Sequence, residues 1–414
     1  ATKISFEYGL TTAYGSEVFV LDSLRGLNDS FKFAMITGLL PHKTYHFRVK
    51  AVNSKGTKYG ANRTFITTAA TTAHSNSGEH TIILDSTGIV YTFGRNTAGQ
   101  LGDGTLIDKA IPVKVLKGAY PGTTYLGDNP ANPIIAVASG NMHNLALAKD
   151  GTVYSFGLNS VGQLGNGTIV NQSIPVKVLK GLYVGTTYLG DNPNNPIIAI
   201  TAGLSHSMAL AKDGTLYTFG DNSIGQLGNG TIANSSTPIR VLKGAYTGAS
   251  FLGDNVNNPI VKIAGGVFHS MALAADGRVF TFGYNPNGQL GDGTAVQKTV
   301  PVLALKGAYA GLTHLGDDNA NPIVSISAGY QHSMALAADG TIYNFGGNPN
   351  GQLGNGTVVT SLTPVRAIKG AYTGTTFLGD NIANPIVDIA SGHYHSLALG
   401  SNGTIYSFGS NNKG

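Results

Sequence analysis

A histidine recurs at one fixed step along this chain, at His80, His143, His206, His269, His332 and His395. The pair Phe-Gly keeps the same step at Phe93, Phe156, Phe219, Phe282, Phe345 and Phe408. The step is 63 residues, with no insertion or deletion. A fixed period settles architecture before secondary structure does, because each unit has to be one supersecondary element that buries its apolar face on its copies. Asp-Gly pairs at Asp150, Asp213, Asp276 and Asp339, and Gly-Gln-Leu-Gly runs starting at Gly99, Gly162, Gly225, Gly288 and Gly351, punctuate the unit at constant places. Counted from the Asn-Pro dipeptides, five units are whole (71–133, 134–196, 197–259, 260–322, 323–385) and the sixth, 386–414, holds 29 residues.

Each unit reads as four short strands, A to D. In 260–322 they are expected at Ile260 to Ala264, His269 to Ala274, Arg278 to Phe282 and Val300 to Leu305, each rich in β-branched or aromatic residues and bounded by Gly, Asp or Asn. Ala275-Asp276-Gly277 between B and C is a hairpin signal. Four antiparallel strands repeated without helical periodicity predict an all-β chain of β-propeller blades. Composition points the same way, since 58 glycines and only 11% charged residues exclude a charge-laced helical bundle. The absence of cysteine removes disulfides, thiolate nucleophiles and Cys-ligated metals. A formal charge of +5 with no basic run implies no nucleic-acid partner. No apolar stretch approaches the ~18 residues of a membrane helix, so membrane insertion is not expected. The opening residues Ala1 to Phe6 lack a signal-peptide pattern.

The recurring Gly-x-x-His-Ser-x-Ala-Leu-x-x-Asp-Gly-x-x-Tyr-x-Phe-Gly-x-Asn-x-x-Gly-Gln-Leu-Gly-Asn-Gly-Thr resembles the regulator of chromosome condensation repeat across residues 71–414. That resemblance implies a seven-bladed propeller and relatives that act as a nucleotide exchanger for the Ran GTPase or as secreted β-lactamase inhibitors. The family usually carries Trp where this chain has Phe before Gly, and its repeat is shorter. The surplus here is a D–A segment of the form Lys-Gly-Ala-Tyr-x-Gly-x-x-x-Leu-Gly-Asp-Asn, as at Lys117 to Asn129 and Lys243 to Asn255.

Residues 1–68 read as strands Lys3 to Tyr8, Glu17 to Leu21, Phe31 to Ile36, Tyr45 to Val52 and Thr57 to Phe65. The run Thr37 to Asn53 resembles a fibronectin type III domain entered at its third strand, with Tyr45 as its corner tyrosine. The expected division is therefore 1–68, a partial fibronectin type III-like module, and 69–414, the propeller. The short Thr67 to Thr72 linker has no Gly/Ser spacer.

Among candidate sites, the six histidines invite a metal reading. Their place at the start of strand B, beside a Gly-rich loop, favours a structural hydrogen bond to backbone copied into every blade, and no metal or cofactor is expected. Asp128, Asp191, Asp254, Asp317 and Asp380 are weak calcium candidates, and Tyr120, Tyr183, Tyr246, Tyr309 and Tyr372 in the same segments offer rings to stack on sugars. An Asx turn with a packed tyrosine is the competing account. No catalytic set emerges, because a serine next to a histidine on a strand points to the opposite face. The chain is expected not to be an enzyme.

Strand alternation puts the A–B and C–D links on one side of the disc. The A–B tips vary from blade to blade: Asn141-Met142, Leu204-Ser205, Val267-Phe268, Tyr330-Gln331 and His393-Tyr394. The C–D links vary beside them at Arg95, Leu158, Asp221 and Tyr284. Variation on a fixed scaffold marks this side as the candidate binding face. Three functions follow as expectations. The first is a secreted or cell-surface bacterial structural or adhesive protein, with the incomplete end modules completed by strand donation from another copy into an extracellular fibre. The second is a propeller that binds a single protein partner. The third is a glycan- or calcium-binding propeller.

Overall fold

The computed structural model describes residues 2–19, 44–66, 72–74 and 79–412. The chain divides into two compact units, Ala1–Thr71 and Thr72–Gly414. In the first, five strands form one antiparallel sheet in which Thr44–Asn53 pairs Lys3–Gly9 on one edge, and Lys3–Gly9 carries Ser16–Phe19 beyond it. The strand expected over Thr57 to Phe65 is instead two, Gly56–Tyr59 and Arg63–Ile66, laid end to end along the other edge of Thr44–Asn53. The chain bulges between them, where the Gly60 amide still donates to the Val49 carbonyl at 2.9 Å. Tyr45 is buried. The strand expected at Phe31 to Ile36 lies outside the described residues.

The second unit is all β. Five sheets of four strands in the order A-B-C-D are followed by one of three strands. Six blades are built by the described residues, and the seventh that the family resemblance implies is not among them. In the fourth blade the strands are Ile260–Gly265, His269–Ala274, Val279–Gly283 and Lys298–Leu303. Strand C starts one residue later than expected because Arg278 closes the hairpin, its amide bonded to Asp276 Oδ1 at 3.1 Å. Strand D ends early because Leu305 leaves the sheet to bridge His314 of the D–A segment. Each D strand contains a proline, such as Pro301, and tolerates it because D is the outer edge.

The core lies between blades. In the second to fifth blades strand B reads His-(Asn/Ser)-(Leu/Met)-Ala-Leu-Ala, and the period of two sends alternate residues to opposite neighbours. Leu145 and Leu147 of the second blade join Ala209, Ala211, Tyr217 and Phe219 of the third in one buried cluster. Small residues on one face receive large ones from the next. Gly165 must lack a side chain here: its φ is +63°, and a Cβ there would stand 2.7 Å from the Phe219 ring of the next blade. In the last blade, Ile386–Ser391, His395–Gly400 and Ile405–Gly409, no described blade packs on the face turned away from the fifth, and Ile405 is 67% exposed. Strands A line a central cavity of about 250 Å³ that includes Ser139, Thr201, Gly265, Ser327 and Ser391.

Packing of this kind makes two substitutions informative. Phe219→Ala removes a fully buried ring and is expected to lower unfolding free energy by about 3–5 kcal/mol. Gly165→Ala drives a methyl into the same ring from a left-handed backbone and is expected to cost about 1–3 kcal/mol. Urea denaturation followed by circular dichroism measures both.

Candidate functional site

The repeated histidine is a clasp between blades. His143 Nε2 lies 3.0 Å from Ser207 Oγ, and Ser207 Oγ lies 2.8 Å from the Gln163 carbonyl. Gln163 belongs to the histidine's own blade, so the serine of the following blade is held at two points. A carbonyl can only accept, so the hydroxyl proton goes to Gln163 and the oxygen accepts from an Nε2–H imidazole. His206 with Ser270 (3.0 Å), His269 with Ser333 (2.8 Å) and His332 with Ser396 (3.0 Å) repeat the arrangement. At the clasp between the first and second blades, Asn144 of the second blade replaces serine, taking His80 at 3.0 Å through Oδ1 and donating to the Gln100 carbonyl at 2.7 Å. The bond therefore goes to a side chain rather than to backbone as expected.

His143, His206, His269 and His332 are fully buried and His80 nearly so, whereas His395 is exposed because no described blade follows it. Burial holds these imidazoles neutral, pushing His143, His269 and His332 down to about 3 and His206 to about 4. With its proton committed to a carbonyl, the serine is no nucleophile, and the pair supplies no base. The rings of His143, His206, His269, His332 and His395 each lie against a glycine: a Cβ on Gly140 would meet the His143 ring at 2.2 Å.

The D–A segments are straps rather than sites. Tyr120, Tyr183, Tyr246, Tyr309 and Tyr372 are buried, which removes them as sugar-stacking surfaces. Each stands edge-to-face on an aromatic of the next blade, as Tyr183 does on Tyr217 at 5.5 Å, and each hydroxyl donates to an Asn carbonyl, as Tyr372 does to Asn384 at 2.6 Å. The Ala119 amide donates to the Pro175 carbonyl of the following D strand at 2.9 Å. The aspartates close the loop. Asp128 accepts from the Thr123 amide and hydroxyl and from the Thr124 and Tyr125 amides at 2.7–2.9 Å. Burial alone would raise its pKa, but these bonds outweigh it and hold the carboxyl at about 2. Asp191, Asp254, Asp317 and Asp380 take the same backbone amides. Carboxylates already turned onto backbone donors fit an Asx-type loop closure better than a calcium cage. Among the described residues no cluster of three or more His, Asp or Glu is placed to hold a metal.

On the opposite side, the varied tips of blades four to six meet in an aromatic ladder. Phe268 stands 5.8 Å from Tyr284 and 5.7 Å from Tyr330, and Tyr330 lies 4.2 Å from His393 and 5.3 Å from Tyr394. All five side chains are partly exposed, as is Gln331 beside them, while Val267 is buried. The remaining candidates are spread over blades one to three. Arg95 pairs with Glu79 at 3.0 Å, Asp221 accepts from Gln226 at 2.7 Å, and Asn141, Met142, Leu158, Leu204 and Ser205 are half-buried. A relay of backbone bonds stiffens these tips: Asn141 amide to Leu204 carbonyl, Leu204 to Val267, Val267 to Gly329, at 3.0–3.2 Å.

One exposed series was missed by the sequence reasoning. Each long C–D loop ends in aliphatic residues, Leu106-Ile107, Ile169-Val170, Ile232, Val296 and Val358-Val359, and these are 60–67% exposed. They sit on a rigid base, since Asn159 donates to the Thr168 and Val170 carbonyls at 3.0 and 3.2 Å and accepts from the Leu164 amide. The signal was legible as a large aliphatic residue within two positions after every Gly-Thr of the C–D loop.

Stacked four-stranded blades with this clasp define a β-propeller. Residues 119–414 match the RCC1-like domain model and residues 87–147 the regulator of chromosome condensation (RCC1) repeat, and the chain belongs to this family. The ultraviolet-B receptor UVR8 of Arabidopsis thaliana is 28% identical over 81% of this chain and 64% of its own length. The probable E3 ubiquitin-protein ligase HERC6 of Homo sapiens is 31% identical over 80% of this chain and 28% of its own. The chain thus spans less than two thirds of these relatives. Among solved structures, Prp20p of Saccharomyces cerevisiae has a TM-score of 0.61 at 22% identity, covering 82% of this chain and 71% of that one. Human WBSCR16 has 0.61 at 18%, covering 97% and 99%. These likenesses overturn the expectation of a bacterial adhesive protein polymerising by strand donation. The curated relatives are a plant light receptor and animal ligases, and self-polymerisation and glycan binding draw no support from them.

The clasp makes stability depend on pH. Imidazole pKa values lie near 6.5 in the unfolded chain and at about 3–4 in the folded one, so the stabilisation is whole above pH 6.5 and is lost as pH falls toward the folded values. At pH 5 each fully buried histidine is expected to have cost about 2 kcal/mol. Urea midpoints should fall steeply from pH 7 to pH 5, and His206→Gln should flatten that slope by one proton while lowering stability at pH 7.

Proposed function

We propose that this chain is a protein-binding propeller that engages a single partner through the face formed by its A–B and C–D links. The observation that carries this reading is the aromatic ladder from Tyr284 through Phe268 and Tyr330 to His393 and Tyr394. It is partly exposed and confined to three neighbouring blades. Exposed aromatics gathered in one patch are unusual on a surface with no partner; aromatic residues are enriched at the core of protein interfaces, and Tyr is enriched among the few residues that carry most of the binding energy. Support also comes from relatives of the same fold, since Prp20p is described with its binding to Gsp1p and histones, and yeast RCC1 (Prp20) bound to Kap60. A catalytic reading has no comparable footing, because the repeated His–Ser pairs are locked into structure. The Ala1–Thr71 unit is read as a fibronectin type III-like companion module, on the strength of its antiparallel sheet and buried Tyr45.

Substitution on the two sides of the disc separates the alternatives. Phe268→Ala and Tyr330→Ala are each expected to weaken a protein partner recovered with the wild-type chain by more than about 1 kcal/mol, roughly fivefold in Kd by calorimetry. Leu312→Ala, at an 86% exposed position on a D–A strap, should leave it unchanged. The opposite pattern would move the site to the strap side.

A further inference from the structure

Where a chain repeats this closely, the place at which it stops repeating is informative. Strands A surround the central cavity, and at one level of them the second and third blades carry alanine, Ala136 and Ala199, while the next three carry Lys262, Ser325 and Asp388. Lys262 and Ser325 stand one residue before Ile263 and Ile326, which line the cavity, and Asp388 holds the same place in the sixth blade. We propose that these three residues and the cavity beside them form a binding site for a free amino acid, its carboxylate taken by Lys262 and Ser325 and its ammonium group by Asp388. None of the three belongs to the aromatic ladder.

The charges are placed to be bridged. Lys262 Nζ donates to Ser325 Oγ at 2.9 Å, which leaves the ammonium further hydrogens and the hydroxyl its own proton. Donors side by side suit the two oxygens of a carboxylate. Asp388 turns one oxygen onto the Ile389 amide at 3.0 Å and has the other to offer. It lies near enough to favour the Lys262 charge, yet no ion pair joins the two. Both side chains are exposed, but burial among protein atoms holds the Lys262 ammonium below the usual lysine range, which places it on a solvent-filled channel rather than the outer surface. Opposite charges kept apart in such a channel carry a desolvation cost that direct pairing would offset. A ligand with both signs offsets it instead. A simple anion would meet Asp388, and a simple cation would meet Lys262.

Size and polarity agree. A cavity of about 250 Å³, against roughly 30 Å³ of liquid per water, takes a molecule of amino-acid size. Thr201 Oγ1 and Ser327 Oγ are each occupied by an amide of the next blade, Gly265 at 3.2 Å and Ser391 at 2.9 Å. Ser391 Oγ lines the same cavity, buried with no hydrogen-bond partner, and is left for the ligand.

Calorimetric titration of the full chain with each common L-amino acid in turn tests this, with acetate and methylamine as probes of one charge alone. Lys262→Ala and Asp388→Ala install the residue that Ala136 and Ala199 already hold at this level, so both variants are expected to fold; circular dichroism checks this, and Lys262→Met or Asp388→Asn replaces either that does not. The expected result is saturable binding of at least one amino acid, weakened by about tenfold or more by each substitution and unchanged by Leu312→Ala, with no comparable binding of acetate or methylamine. Acetate or methylamine binding as tightly as any amino acid would overturn the proposal, and so would amino-acid binding indifferent to either substitution, or no binding at all.

Discussion

A buried imidazole that donates to the next blade is the constraint on which the rest of this propeller depends. It fixes three things together: the glycine under the ring, the hydroxyl or amide one residue past the following histidine, and the carbonyl of the glutamine in Gly-Gln-Leu-Gly. Because His143 and Ser207 sit on opposite faces of equivalent strands, the same two-residue alternation that sends Leu145 forward and Ala209 back also aligns the clasp. Burial of a neutral ring is tolerable since its Nε2 proton is used. The D–A strap then adds a second tie at the outer edge, through a tyrosine ring and an amide bond onto the neighbouring D strand.

The period, the four strands per unit and the hairpins were legible because they are local, set by alternation and by Asp-Gly turns. The clasp was not. Sequence reasoning saw histidine and serine side by side, inferred that they point apart, and stopped there; pointing apart is what lets each find the other's copy 64 residues away. The strap tyrosines were legible as repeated but not as buried, since burial depends on the neighbouring blade's aromatic at a position such as Tyr217 or Phe280. Strand D was misplaced because its pairing ends where Leu305 turns to the strap, a long-range preference with no local mark. In the Ala1–Thr71 unit the Gly60 bulge split a strand that alternation alone reads as one.

The two sides of the disc divide the labour. On the strap side, carboxylates and tyrosines are consumed by the scaffold, which explains why that segment can repeat almost verbatim. On the other side the backbone is also tied by hydrogen bonds, yet most side chains at the tips are partly exposed and differ from blade to blade. Position is set by the scaffold and chemistry by the tip, so the ladder of blades four to six stands on loops held by backbone hydrogen bonds. The aliphatic ends of the C–D loops share that stiffness through the buried asparagine at each loop's root.

The clasp also says how a chain of this kind tolerates change in its gene. Each clasped histidine finds its acceptor one residue beyond a full repeat, so recombination that gains or loses whole internal units leaves those donors facing acceptors and the strands in phase. A deletion of one codon in strand B does the reverse, sending the downstream half of that strand to the wrong face and unseating the clasps on both sides of that blade. Length can vary in steps of a blade, and hardly at all in steps of a residue.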